Sequence, residues 1–372
     1  MNNQSISAHQ TGAIAGILLF TLKMSSLPSL FYKYNKTGAI LSVITVVVLN
    51  ALFLGLVVWL KQKYKNMSLY AILSEKLGVF LTKIIYFVFF ALFFLKLLLM
   101  VSDAFTFIKD VADDEYSIFK VFLCFLPIIA TMAFSGLKNV ARTCEFFLPV
   151  IILCLITAIS FSIIPINAWS FGSLVKEGAS GFFNSIFRLS FWTGDLFALL
   201  IFLDKIELKK GKVKEMFLPF SFMAIILIVL YFLYYVLYQE TSIFHVNLLN
   251  DVVQYAIGTS KGWHMDIFAI IVYIINMYLQ GAVLIYCASE CLKQLLNYKN
   301  TKISLFVIVL GLLCAEFLYL TDYLNYVAFA ENILCYFSSI TIVLIILLLL
   351  IFVVFKKDAK NSTPQNQLGA GE

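Results

Sequence analysis

Charge is what this chain has least of. Only 13% of its 372 residues are Asp, Glu, Lys or Arg, about half the share usual in a soluble domain, while 62% are hydrophobic. With a mean hydropathy of +0.95, that scarcity excludes an ordinary water-soluble globule and implies an integral membrane protein. Other absences narrow the function. There is no glycine-rich phosphate loop and no spacing of a catalytic triad, so an enzyme is not expected. The three histidines, His9, His245 and His264, lie at segment ends or in loops. The seven cysteines (124, 144, 154, 287, 291, 314 and 335) sit in or beside apolar stretches without metal-ligand spacing. Reduced packing residues are therefore expected, with no metal and no cofactor. Met1 to Gln10 lacks a basic leader region, and no small-residue cleavage site follows the first apolar run, so no secretory signal is read. The net charge of +6 does not indicate nucleic-acid binding, because its lysines are distributed by loop.

At about 20 residues per helical span, ten segments are long and apolar enough to cross a bilayer. They are 11–31, 38–60, 80–102, 117–135, 143–164, 182–203, 216–238, 265–287, 303–320 and 332–355. Lysine and arginine collect in alternate loops: Lys61, Lys63, Lys65 and Lys76; Lys138 and Arg142; Lys205 to Lys214; Lys293, Lys299 and Lys302; and the tail with Lys356, Lys357 and Lys360. The intervening loops are poor in lysine, and one carries Asp110, Asp113, Asp114 and Glu115. By the positive-inside rule both termini are cytoplasmic and the number of crossings is even. The expectation is an all-α membrane domain over 1–357, followed by a disordered cytoplasmic tail, 358–372, rich in Asn, Ser, Pro, Gln and Gly.

Two of the ten segments are interrupted. The first contains Thr21-Leu-Lys-Met-Ser-Ser-Leu-Pro28, with Lys23 inside an otherwise apolar run. A lysine at bilayer depth costs several kcal/mol unless it lines a cavity or finds a partner, and broken backbone is tolerated there only where something meets its polar groups. The sixth segment contains Arg188, then Trp192, Thr193, Gly194 and Asp195. Gly194 suits the end of a half-helix, and Asp195 can cap the half that follows. Segments one and six lie five apart and so cross in opposite directions. Two interrupted helices at matching positions of inverted halves mark a secondary-transporter fold, here a five-plus-five inverted repeat over about 11–164 and 182–355.

Helix ends dictate the chemistry of such breaks. Ser25 or Ser26 can cap a helix whose first turn holds Pro28, and its free N–H groups suit a carboxylate. Carbonyls freed at Trp192 to Gly194 suit the ammonium of a zwitterion, so an amino acid is the expected ligand class. Lys23 has three open roles: to meet the carboxylate, to fill the place of a coupling cation, or to pair with Asp195. Thr21, Lys23, Met24, Ser25, Ser26, Trp192, Thr193, Gly194 and Asp195 form the candidate ligand set, with Tyr273 and Asn276 of the eighth segment. Asn276 and Gln280 lie four apart on one face, where helix-to-helix hydrogen bonding is the alternative. Lys96 and Asp103 share a face of the third segment, and Glu316 is a lone carboxylate in the ninth.

The stretch Ser135-Gly-Leu-Lys-Asn-Val-Ala-Arg-Thr-Cys-Glu-Phe-Phe-Leu-Pro149 resembles the Gly…Ala-Arg-x-x-Glu…Pro signature of spore germinant receptor B subunits, the endospore germination permease family. Ile6-Ser-Ala-His-Gln10, Ser26-Leu-Pro28, the length, the ten segments and the basic loop before segment seven resemble that family too. It is similar to the amino acid-polyamine-organocation transporters, so the resemblance also implies the inverted-repeat, leucine-transporter-type fold. It further implies a nutrient-sensing subunit in the spore inner membrane that works with an A subunit and a C-subunit lipoprotein. A proton-coupled amino-acid permease is the alternative. Arg142 and Glu145, three apart on a helix, are expected to pair with each other. One departure is plain: the related transporters commonly carry glycines in the first break, whereas here the glycines come earlier, at Gly12 and Gly16, and the nearby lysine speaks against sodium coupling.

Overall fold

The computed structural model describes residues 5–24, 27–65, 67–112, 118–162, 179–209, 211–245, 247–257, 266–298, 301–319 and 327–354. Nearly all of these are helical. The first predicted segment is occupied by α1 (Ala8–Phe20), a 3-10 turn (Thr21–Lys23) and α2 (Leu27–Asn35). The second to fifth fall on α3 (Ala39–Lys63), α5 (Val79–Ala112), α6 (Ile118–Phe134) and α7 (Leu137–Ser162), with a short α4 (Leu69–Leu77) between α3 and α5. The sixth is divided among α8 (Ala179–Arg188), α9 (Ser190–Thr193), a 3-10 turn (Asp195–Phe197) and α10 (Ala198–Ile201). Then come α11 (Val213–Tyr238), α12 (Leu248–Ile257), α13 (Asp266–Leu296), α14 (Thr301–Tyr319) and α15 (Cys335–Val354), which is entered through a π-turn, Ala330–Leu334.

Among the described residues six helices are long and apolar enough to cross a membrane, and three shorter apolar ones accompany them. The chain is a multi-pass membrane protein. Its surface inverts the soluble rule: Leu52, Phe146, Leu153, Ile225 and Ile340 are exposed, whereas Lys23, Lys96, Asp195, Asn276 and Gln280 are buried. Apolar side chains face the lipid, and polar ones turn inward where they meet each other. Residues 163–178 and 258–265 and the tail 358–372 lie outside the described residues.

Helix α1 begins on a capping box. Ser7 Oγ accepts from the Gln10 amide at 3.2 Å, and Gln10 Oε1 accepts from the Ser7 amide at 3.0 Å, satisfying two donors that the first turn otherwise leaves open. The helix then packs closely along α11. A Cβ on Gly12 would sit 2.2 Å from the Met216 carbonyl oxygen, so only glycine permits this backbone approach. One turn on, Gly16 faces the side chain of Met223. The two glycines missing from the break therefore serve packing. Helix α13 lies against α5, which places spans carrying Gln280 and Lys96 side by side.

The end of the bundle bearing the lysine-rich loops is stitched by polar contacts. Ile6–Ser7 (β1) pairs in parallel with Ile206–Glu207 (β2), Ile6 opposite Ile206. Lys61 donates to the Asp204 carbonyl at 3.2 Å, and Lys205 contacts Tyr286 and, at 3.1 Å, Glu290. At the other end, Glu331 of the π-turn accepts from Lys33 and Tyr34, both at 2.8 Å, tying α2 to the entry of α15.

Candidate functional site

The two interruptions meet at one carboxylate. Asp195, fully buried, has Lys23 Nζ at 3.1 Å on Oδ2 and Lys96 Nζ at 2.6 Å on Oδ1. Lys23 comes from the break after α1, Lys96 from α5, and Asp195 from the break after α9. Both amines also reach backbone carbonyls freed by irregular helix: Lys96 donates to Phe191 O at 2.5 Å and Lys23 to Leu18 O at 3.4 Å. The lysine's pairing role is thus occupied in this state of the molecule. The cation and carboxylate are 2% and 0% exposed, a burial at which ion pairs survive only when their remaining hydrogen bonds are met.

Side chains from α11 hold the first break. Tyr231 OH donates to the Lys23 carbonyl at 2.7 Å, and Tyr235 OH donates to the Pro28 carbonyl at 3.0 Å. Their rings lie 6.0 Å apart, and the Tyr231 hydroxyl satisfies a carbonyl at the break that a continuous helix would have used itself. Thr21 Oγ1 bonds back to Ile17 O at 2.8 Å, and the Met24 amide donates to Thr21 O at 3.1 Å. Ser25 and Ser26, expected to cap the following half-helix, lie outside the described residues.

The second break differs from expectation in two respects. Gly194 has φ −88°, not a positive value. Its missing Cβ instead leaves room for the Phe197 ring, which would lie 2.9 Å from it. Asp195 caps nothing, because both its oxygens are engaged by lysines. The carbonyl of Phe191, one residue before the Trp192–Gly194 window, is taken by Lys96. Thr193 Oγ1 bonds to Ser190 O at 3.1 Å, while Ser190 joins Ser338 at 2.5 Å and so fastens α9 to α15. Arg188 turns away from Asp195 to Asn184 and Asn332.

The other candidates divide. Asn276 Nδ2 donates to Val272 O at 2.8 Å, and the Tyr273 ring stacks on Phe107 with centroids 3.8 Å apart. Among the described residues, Trp192 Nε1, Asn276 Oδ1 and both amide atoms of Gln280 are buried with no hydrogen-bond partner. Buried polar atoms are normally paired, so these mark where water or a ligand belongs. Thr193 and Gly194 also line a cavity of about 270 Å³ with Asn50, Phe53, Ser190 and Ile342, which reaches the break from between α3 and α15. Glu145 does not pair with Arg142. Its carboxylate accepts from Gln10 at 2.9 Å and meets His9 at 2.8 Å, linking the two family-like stretches. Glu316 lies on α14, its side chain outside the described part.

Sequence reasoning missed Lys96 as the partner of Asp195, and Tyr231 and Tyr235 altogether. The tyrosines' spacing of four residues on an apolar helix was the available signal. A family model described as spore germination protein matches residues 5–323. The chain belongs to the spore germination protein family. The solved structure of a Na⁺-coupled sialic acid symporter is similar to this germination-family protein, with TM-score 0.61 and 12% identity over 88% of this chain and 76% of that chain. At that identity the likeness shows the fold alone, which is that of a transporter. No curated protein matches the chain in sequence.

Proposed function

We propose that this germination-family protein is a non-enzymatic receptor subunit that binds a small germinant, an amino acid, in a transporter-like site and signals to partner subunits. In this reading the membrane domain has ten crossings in a five-plus-five inverted repeat, with both termini cytoplasmic, in the spore inner membrane. The partners are a receptor A subunit and a C-subunit lipoprotein, which the family resemblance implies. The observation that carries the reading is the cluster of Lys23, Lys96 and Asp195, which couples both helix breaks to a third span. A ligand that moves any one of these groups must disturb the other two, and such differential interaction is what shifts a conformational equilibrium.

The symporter likeness supports a second reading, a secondary amino-acid permease coupled to protons. Both readings need the same site, and they part on turnover. In spores, Lys23→Ala and Asp195→Ala are expected to abolish the amino-acid dose–response while the subunit still inserts in the membrane at its normal level. An unchanged dose–response in both variants removes the site. Saturable accumulation of a labelled amino acid in proteoliposomes, at permease-like turnover, would replace the receptor by the permease.

A further inference from the structure

The second break can also be reached from the bilayer. The cavity of about 270 Å³ beside Thr193 and Gly194 is walled by α3, α8, α9 and α15. Its lining includes Leu49 and Leu52, 50% and 65% exposed, which mark its mouth. Both belong to a membrane-length helix, Ala39–Lys63, and lie within about 3 Å of its midpoint along the axis. The mouth therefore opens at the centre of the bilayer. Water is about 15 Å away there, half the hydrocarbon thickness. What the mouth meets is the methyl end of lipid chains.

The inner wall suits that guest. Val46, Leu196 and Ile345 line it, are buried, and present only hydrocarbon side chains. The polar side chains of the wall are Asn50, Ser190 and Thr193, and each is bonded within the chain. Asn50 Nδ2 donates to Val46 O at 2.8 Å, Ser190 meets Ser338, and Thr193 Oγ1 donates to Ser190 O at 3.1 Å. A buried water needs two to four polar partners, whereas an apolar cavity of about 150 Å³ already takes a guest the size of benzene. This cavity is larger and continuous with hydrocarbon.

Packing supplies the second argument. In lipid, helices are held together by close contact of their atoms, so α3 and α15 gain little across a space of this size unless atoms fill it. Two of the walls are aromatic. Phe53 and Phe197 meet edge to face with centroids 5.0 Å apart. The Phe197 ring also fills the room left by the missing Cβ of Gly194, the residue before Asp195.

We propose that the cavity between α3 and α15 is a lipid site, filled from the bilayer midplane by the methyl end of a phospholipid acyl chain, which props the second break through Phe53 and Phe197. The ligand class is a long alkyl chain. The site does not rest on the receptor reading, since neither the guest nor its path involves the Lys23–Asp195–Lys96 cluster. Loss of the chain frees the Phe197 ring, and with it the backbone next to Asp195.

The test uses the full-length protein in phosphatidylcholine vesicles doped with a phosphatidylcholine that carries a diazirine at the methyl end of one chain. After irradiation, the labelled residues are mapped by peptide mass spectrometry. Insertion is expected at the inner wall, on Val46, Leu196 or Ile345. It is expected equally at Ile225, which is exposed at the middle of α11 and meets ordinary boundary lipid. The same lipid with its diazirine beside the ester should label neither. Leu56→Trp and Ile186→Phe fill the cavity with the protein's own atoms. In both variants labelling of the inner wall should be lost while Ile225 is labelled as before.

A wild-type protein labelled at Ile225 but nowhere on the inner wall overturns the proposal, whether or not the variants insert. So does inner-wall labelling that survives in both filled variants, or equal labelling by the ester-proximal lipid. Two further arms identify a different occupant. If a water-soluble diazirine marks the inner wall where the lipid does not, the cavity is aqueous. If a free fatty acid with the same terminal label marks it where the phospholipid does not, the guest is the free acid. Either result strikes the phospholipid chain.

Discussion

Two ionic clusters in this molecule are built from similar parts and answer to different physics. At the centre, Lys23, Lys96 and Asp195 are 0–2% exposed; at the end carrying the lysine-rich loops, His9 and Glu145 are 42% and 37% exposed. Water screens and solvates the second pair, so its loss leaves groups that can hydrate. The first cluster has no such refuge, and removing one partner strands the rest. Charge placed where hydration cannot rescue it is costly to keep and costly to break, whereas half-exposed charge serves as a joint between segments. Here the joint fastens the N-terminal stretch to α7, beside the short β1–β2 seam.

The sharpest way to break that contrast is Asp195→Asn. It leaves two buried amines without a counter-charge and should cost about 3–5 kcal/mol, read as a fall in the melting temperature of a protein that still inserts in the membrane. Adding Lys96→Met should recover part of that loss, and a double variant no better than the single one would show that the cluster is not held by charge. Gly12→Val tests the packing that positions the first break. With Met216 O only 2.2 Å from the added carbon, α1 and α11 must separate, at about 1–3 kcal/mol, seen in the same thermal assay. The smallest effect belongs to the exposed joint. Glu145→Gln keeps an acceptor for Gln10 and should cost about 1 kcal/mol or less, with ligand response retained; a collapse equal to that of Asp195→Asn would erase the distinction between the two clusters.

Much of this was legible in the residues. Apolar runs of bilayer length fall on helices because a chain in lipid must satisfy its backbone within each segment. Lys23 and Asp195 stood out because a charge in such a run needs a reason. Their contact could be named from chemistry alone, since each is the other's opposite. Lys96 was harder: on its own helix it shares a face with Asp103, and sequence spacing sees only neighbours along one helix. Glu145 was misassigned for the same cause, its local partner Arg142 being displaced by groups 135 and 136 residues away. Gly194 shows the third limit. Its small size was read as conformational freedom, but it serves the approach of the Phe197 ring, a matter of space that no dihedral preference encodes.

The two tyrosines of α11 have a mechanical consequence. Residues four apart on a helix rise about 6 Å, whereas carbonyls five apart in regular helix are separated by about 7.5 Å along its axis. Tyr231 and Tyr235 grip the Lys23 and Pro28 carbonyls across that mismatch, so α11 acts as a caliper locked on the bent form of the first span. Straightening the span pulls at least one jaw off. Whatever re-spaces the bend must therefore work against the two hydroxyl contacts from α11.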